Sequence, residues 1–149
     1  DLANATYYQE ITRKLIAQFD QLDTDFKNGL QSCRKKDFVT SHKAFSYLAK
    51  QYGLTQVPIS GLSPDEEPSA QQLAEVADFV KQNNIEIIFF ETLVPSKLSE
   101  TIAHETGAMT MVLDPIEGIS DDKIKAGYNY FTVMRKNLAA LSTALQCNK

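Results

Sequence analysis

The stretch IEIIFFE, residues 85–91, is the clearest strand signal in the chain and decides the fold class. Its apolar residues follow one another almost without interruption, whereas a strand with one solvated face alternates apolar and polar residues. Near-continuous apolar character is typical of a strand buried on both faces, inside a parallel sheet that helices cover. The stretch therefore predicts a central strand of an α/β protein.

Shorter segments on both sides of this stretch repeat the same alternation of strand and helix. Three of them have the composition of short strands, at residues 38–41, 57–62 and 108–113. Helical periodicity lies between and after them, at residues 44–52, 69–82, 96–106 and 130–145. Strands that alternate with helices at this spacing form βαβ units. We therefore predict a four-stranded parallel sheet flanked by helices.

A long helix precedes the first strand and is not explained by the βαβ pattern. Residues 5–28 carry apolar side chains at steps of three and four, which predicts one apolar stripe on an amphipathic helix. Asn28-Gly29 is a typical helix end. The members of the stripe are Tyr8, Ile11, Leu15, Phe19, Leu22 and Phe26.

Composition and charge exclude several classes of function. The chain has 149 residues, with 15 basic and 19 acidic side chains and a net charge of −4, which argues against a nucleic-acid-binding surface. No apolar stretch approaches the roughly 18 residues that a membrane helix needs. The first residues, DLANATYYQEITRKL, resemble a segment from within a longer chain and not a signal peptide, so we expect a mature fragment or an excised domain.

Polar side chains follow each predicted strand, at the edge where ligands bind in open α/β sheets. Ser41-His42 follows the first strand, Ser60-Gly61 the second and Glu91-Thr92 the third, while Asp114 and Glu117 follow the fourth. One imidazole and several carboxylates thus converge on one edge, a combination that suits zinc or another divalent ion. The sequence contains no glycine-rich phosphate loop and no GxSxG motif.

Each of these residues also has an ordinary structural interpretation. His42 either caps the following helix or bonds a buried carbonyl group, or it acts as a metal ligand or general base. Asp114, Glu117 and Glu91 either cap helices or belong to a metal site, where Glu91 would fix the tautomer of a liganding histidine. His104 lies within a helical segment, and we expect it on a solvated or partly packed helix face.

Two cysteines lie at opposite ends of the sequence, Cys33 and Cys147. They are too far apart to form a metal-binding motif. Two interpretations remain open from their spacing: buried thiols in a reducing compartment, or a disulfide in an oxidising one.

Four segments together resemble the substrate-binding proteins of zinc and manganese ABC transporters, a family that also includes proteins named for cell adhesion. The resemblance is strongest to the zinc-uptake branch and covers essentially the whole chain. The segments are FVTSHKAFSYLAKQYGL (38–54), GLSPDEEPSAQQLAEV (61–76), IIFFETLVPSKLSETIAHETGA (87–108) and VLDPIEG (112–118).

The resemblance implies an architecture of two α/β lobes that one long helix joins, with the metal ion between the lobes. By this analogy residues 1–30 form the interlobe helix and residues 31–149 the C-terminal metal-binding lobe. The N-terminal lobe of the same protein, with its ligands, is not part of this sequence. The role of an interlobe helix would explain the long first helix, which the βαβ pattern does not account for.

The resemblance also implies ligands. His42 matches the family's third ligand, a histidine in zinc proteins and a glutamate in manganese proteins, so Zn²⁺ is expected over Mn²⁺. The fourth ligand is an acidic residue after the last strand, with Glu117 expected first and Asp114 as its rival or as a loop-shaping residue. Glu91 matches an acidic residue near the site and is expected to support His42.

The function that the resemblance implies is transport, not catalysis. We expect an extracytoplasmic or periplasmic zinc-binding component, associated with the membrane through the ABC permease that receives the ion. Such a location favours a Cys33–Cys147 disulfide. The alternative is a small α/β metal-dependent hydrolase that activates a water molecule on the metal, with Glu91 or Asp114 as the base.

Overall fold

The computed structural model describes residues 2–63, 66–92 and 95–148, with six α-helices and four β-strands among them. A short 3₁₀ turn, Leu2–Asn4, leads into the long first helix. Residues 1, 64–65, 93–94 and 149 lie outside the described residues. The helices are α1 (Ala5–Leu30), α2 (Ser46–Gln51), α3 (Ala70–Gln82), α4 (Lys97–Thr106), α5 (Asp121–Lys125) and α6 (Tyr130–Ala144), and the strands are β1 (Asp37–Thr40), β2 (Thr55–Pro58), β3 (Ile87–Phe90) and β4 (Met109–Val112).

The four strands form one parallel sheet in the order β2-β1-β3-β4. The strand IIFF is central, with Ile88 opposite Val39 of β1 on one side and opposite Thr110 of β4 on the other. The order of the strands in the sheet differs from their order in the chain because β2 and β3 lie on opposite sides of β1. The predicted fold class, a parallel sheet flanked by helices, is confirmed.

Each face of the sheet has its own hydrophobic core. Phe38 and Phe89 point to one face, where they pack with residues of α1 and α6 such as Phe26 and Leu141. Val39 and Ile88 of the same strands point to the other face, where they pack with Val80 of α3 and Ile102 of α4. Burial on both faces explains why β3 contains no polar position.

Local interactions define one end each of α3 and α4. Ser69 and Gln72 form a capping box at the start of α3, with each side chain bonded to the other residue's backbone N–H. Gly107 closes α4 in the left-handed conformation, at a φ of 76°.

Two segments differ from the sequence-based expectation. The second strand was expected at 57–62 but pairs over Thr55–Pro58, because β1 ends at Thr40 and only single hydrogen bonds from Ile59 and Ser60 continue the ladder. Helix α5 was not expected at all. It spans five residues with none buried, so it leaves no apolar periodicity in the sequence.

The first helix is longer than expected, and its apolar stripe is buried over only part of its length. Leu22, Phe26 and Leu30 are buried, whereas the apolar side chains of the first half of α1 are exposed. Gly29 does not end the helix; a Cβ there would lie 2.9 Å from Leu138 Cδ1, so glycine allows α1 and α6 to approach closely. Among the described residues, no helix combines the length and apolar character that crossing a membrane requires.

Tyr52 connects the end of α2 to α1 and predicts a loss of stability at high pH. Its ring stacks on Phe26, and its hydroxyl donates a hydrogen bond to Asp23 Oδ1 at 3.1 Å. Burial, followed by the bond to the Asp23 carboxylate, raises the pKa of Tyr52 from 10.0 to about 12. Above pH 10 the unfolded chain therefore loses this proton while the folded chain keeps it.

We therefore expect the free energy of unfolding to fall as pH rises from 10 towards 12, and Tyr52→Phe to remove that part of the fall. Urea unfolding at about pH 9 and about pH 11 measures the difference. Tyr47→Phe is the matched control, since Tyr47 is 91% exposed. The same pH slope in Tyr52→Phe and in the unchanged chain would contradict this interpretation.

Candidate metal centre

The carboxyl ends of β1, β3 and β4 bring three of the predicted site residues together. His42, Glu91 and Glu117 each offer one atom suited to bind a metal, and these atoms all lie within 4.8 Å of one another. His42 and Glu117 are 75 positions apart in sequence, and the parallel topology brings all three residues to one edge of the sheet. His42 and Glu91 are buried, and Glu117 is exposed.

The backbone of His42 is held in place directly after β1. Its carbonyl oxygen accepts hydrogen bonds from Thr40 Oγ1 at 2.8 Å and from Gln56 Nε2 at 2.9 Å. The imidazole itself is 3% exposed. It therefore emerges from a fixed strand end into a largely enclosed position and does not cap α2, whose N-cap residue is Phe45.

The two ring nitrogens of His42 face different carboxylates. Nδ1 lies 2.6 Å from Glu91 Oε1, and Nε2 lies 3.8 Å from Glu117 Oε1. The Nδ1–Oε1 distance is within hydrogen-bond range, although the direction of the Nδ1–H bond falls short of the usual geometry. A carboxylate beside one ring nitrogen is the arrangement that orients a histidine ligand through its other nitrogen.

Glu91 is a buried carboxylate behind the imidazole. Its Oε1 accepts a hydrogen bond from Ser41 Oγ at 2.8 Å, while Oε2 is buried without a hydrogen-bond partner among the described residues. Burial raises the pKa of Glu91, and the Ser41 hydrogen bond and the neighbouring His42 only partly oppose this. A buried carboxylate with a free oxygen favours a cation or a proton beside it.

Glu117 is at the solvent side of the group. Its side chain is 51% exposed, and it follows Ile116 in the loop after β4. A carboxylate at this position can approach an ion from outside while His42 approaches it from the sheet.

Asp114, the rival of Glu117, is not one of the three residues whose ligand atoms converge, and its carboxylate has other partners. Its Oδ1 accepts the Ile116 N–H at 2.8 Å, and its Oδ2 accepts the Thr92 hydroxyl at 3.1 Å, with Lys123 Nζ at 3.9 Å. These contacts occupy both oxygens with local partners. The geometry favours Glu117 over Asp114 as the residue that faces His42.

The remaining predicted residues lie away from the group. His104 is exposed on α4, as expected for a solvated helix face. Cys33 and Cys147 are joined by a disulfide between the segment after α1 and the segment after α6. The backbones of the same two residues also form an isolated antiparallel β-bridge.

Asn137 and Ser41 are two residues near the centre to which the sequence analysis assigned no role in the site. Asn137 is a buried polar residue on the otherwise apolar inner face of α6. A polar residue among the apolar positions of a predicted helix is the one sequence signal that could have identified it. Ser41 was noted only as the neighbour of His42, and its bond to Glu91 spans 50 residues of sequence.

The donor set fits zinc better than it fits a hard cation. One imidazole nitrogen with carboxylate oxygens is a common zinc environment, whereas calcium and magnesium prefer oxygen ligands throughout. The buried, unpartnered oxygen of Glu91 agrees with a positive charge nearby. With Glu91 beside Nδ1 of His42, two further atoms of the group could face an ion, His42 Nε2 and Glu117 Oε1, whereas a closed zinc site uses four ligands.

Comparison with known proteins agrees with this chemistry. The family model described as "Zinc-uptake complex component A periplasmic" matches residues 1–144. The "High-affinity zinc uptake system protein ZnuA" of Bacillus subtilis is 43% identical over 145 residues, covering 97% of this chain and 46% of that protein. The chain thus spans about half the length of this relative.

Solved structures share the fold over nearly the whole chain. The Zn(II)-bound ZnuA-like domain of Streptococcus pneumoniae AdcA is 43% identical with a TM-score of 0.79, covering 96% of this chain and 54% of that one. The laminin-binding protein Lmb of Streptococcus agalactiae, described as having adhesin and metal-transporting activity, is 38% identical with a TM-score of 0.87, covering 97% of this chain and 55% of that one. The chain therefore belongs to the family of the periplasmic zinc-uptake complex component A.

Proposed function

We propose that this chain is the C-terminal lobe, with its linking helix, of an extracytoplasmic protein that binds zinc and delivers it to an ABC permease. In this proposal residues 1–30 form the interlobe helix and residues 31–149 the metal-binding lobe. The ion is cargo, bound and released unchanged, so the protein is not an enzyme. The observation that carries the proposal is the His42 imidazole, held between buried Glu91 and exposed Glu117.

The two ring nitrogens of His42 have different roles in binding the ion. A proton on Nδ1, directed at Glu91 Oε1, leaves the lone pair on Nε2 free for Zn²⁺ and fixes the orientation of the ring. Glu117 supplies a carboxylate oxygen from the solvent side and offsets part of the charge of the ion. Because both ligands must be deprotonated where they meet the metal, acidification releases it.

The exposed first half of α1 supports a second lobe that packs against it. Tyr8, Ile11, Leu15 and Phe19 are each between 44% and 53% exposed, and they lie on the stripe whose continuation is buried. Apolar patches of this kind are typical of interaction surfaces. The N-terminal lobe of the same protein would cover the stripe and provide the remaining ligands for zinc.

Location and metal preference follow from the same proposal. The disulfide agrees with an oxidising, extracytoplasmic compartment, and the protein would be held at the membrane through its transporter. An imidazole ligand in place of a carboxylate favours Zn²⁺ over Mn²⁺.

We expect the isolated chain to bind zinc far more weakly than the longer protein with both lobes. Two protein ligands leave at least half of the coordination positions of Zn²⁺ to water, whereas closed sites use four protein ligands. Isothermal titration calorimetry of zinc into both proteins measures the difference. Equal affinity would contradict the half-site and, with it, the proposed role of the missing lobe.

A further inference from the structure

We propose that Asn137 and Asp114 are positioning residues that act through Ile116 to hold Glu117 opposite His42 Nε2. This inference rests on the proposed function, since it concerns how that metal site is assembled. It gives Asp114 a defined role that differs from the ligand role for which it was a candidate. It also gives a role to Asn137, which the mechanism of metal binding does not use directly.

The first link is a pair of hydrogen bonds between α6 and the end of β4. Asn137 Oδ1 accepts the backbone N–H of Asp114 at 2.9 Å, and Asn137 Nδ2 donates to the Asp114 carbonyl oxygen at 2.7 Å. Asn137 is 2% exposed. A single buried amide thus satisfies both backbone groups of Asp114 and fixes the point where the chain leaves the sheet.

The second link runs from the Asp114 side chain to the loop. Its Oδ1 accepts the backbone N–H of Ile116, two residues further on, which closes an Asx turn. Its Oδ2 accepts the hydroxyl hydrogen of Thr92, which follows β3. The carboxylate therefore connects the loop after β4 to the end of the neighbouring strand.

The third link is the backbone of Ile116, which has a φ of 64°. A β-branched residue rarely adopts this left-handed conformation and keeps it only where the surroundings impose it. The Asx turn ends at this residue, directly before Glu117. Glu117 therefore follows a backbone position that Asp114 holds, and its Oε1 lies 3.8 Å from His42 Nε2.

Glu117 depends on this arrangement because no other described residue holds its carboxylate. Within the described part of the chain, no hydrogen bond reaches that carboxylate, and the approach of His42 Nε2 at 3.8 Å is its nearest polar contact given by the structure. A half-exposed glutamate without such support would sample many rotamers and lose entropy on binding an ion. The rigid turn reduces that loss by fixing the backbone beforehand.

Zinc titration in a double-mutant cycle tests the proposal. We expect Asn137→Ala and Asp114→Ala each to weaken zinc binding about 10-fold, the lower end of the range for residues that orient metal ligands. Asp114→Asn keeps an acceptor for the Ile116 N–H and should lose several-fold less. In a Glu117→Gln background, both alanine variants should change the affinity less than about twofold, since they act through Glu117.

Amide hydrogen exchange provides a readout that does not require zinc. The Ile116 N–H should lose protection in Asp114→Ala and keep it in Asp114→Asn. Ile102→Val, a mild change in the other core, is the control for a general loss of stability and should leave zinc affinity unchanged.

The outcomes separate the two proposals. If Glu117→Gln weakens binding but the alanine variants do not, or if their effects persist in the Glu117→Gln background, the positioning role is wrong and the zinc site stands. If Glu117→Gln itself has no effect, Glu117 is not a ligand, and both the positioning role and the proposed ligand set are wrong.

Discussion

Glu117→Gln and His42→Ala are each expected to weaken the binding of zinc to this chain by about 100-fold. Structural zinc sites with four ligands bind with about 10–16 kcal/mol, so an even division gives each ligand ~3 kcal/mol, or about 100-fold in Kd. Calorimetry, or competition with a chromophoric chelator, measures the change. Glu117→Gln is the cleaner variant because it keeps the side-chain volume and because Glu117 is half-exposed.

Matched controls exist for both substitutions. His104→Ala removes the second of the two histidines, which is exposed on α4, and Glu105→Gln neutralises an exposed glutamate next to it. Neither control should change the affinity for zinc. Binding that is indifferent to His42→Ala and Glu117→Gln would show that the imidazole is structural and that the ligand assignment is wrong.

Replacement of both cysteines by serine is expected to lower the free energy of unfolding by about 4 kcal/mol. The disulfide joins residues 114 positions apart, and in the loop-closure model a cross-link over about 100 residues restricts the unfolded chain by ~4.7 kcal/mol at most. It connects the segments that follow α1 and α6, so it also keeps the ends of these two packed helices together. Urea unfolding of the oxidised protein and of Cys33→Ser/Cys147→Ser measures the loss.

Reduction of the unchanged protein is the control for the double substitution, since it breaks the same bond without changing side-chain volume. Both should shift the urea midpoint to a similar extent, and the reducing agent should not affect the serine variant. A loss below about 1 kcal/mol would mean that the unfolded chain is already restricted or that the folded state is strained by the bond.

The fold was predictable from sequence because its strongest signals are local. The run at Ile87–Phe90 can only be buried on both faces, and helical periodicity between the strands leaves a parallel sheet as the consistent arrangement. Features that depend on tertiary packing were missed. Gly29 was interpreted as a helix end, but its role is set by Leu138 on a helix more than a hundred residues away.

The convergence of the candidate site residues was predictable from sequence, but the contacts of each residue were not. Parallel strands place His42, Glu91 and the acidic loop at one edge, so their convergence follows from topology. The choice between Asp114 and Glu117 depends on a turn of three residues and on a hydrogen bond from α6. The exposure of the apolar stripe on the first half of α1 could not be predicted either. Helical periodicity is the same whether or not a partner covers the stripe.

The most direct test of the central claim is ¹⁵N NMR of the imidazole rings during zinc titration. The chain has two histidines, so the signals are readily assigned with His104→Ala. We expect zinc to shift His42 Nε2, while Nδ1 keeps its proton towards Glu91 and the His104 ring does not respond. A zinc-dependent shift at Nδ1, or no shift at His42 at all, would contradict the account of how this lobe holds the ion.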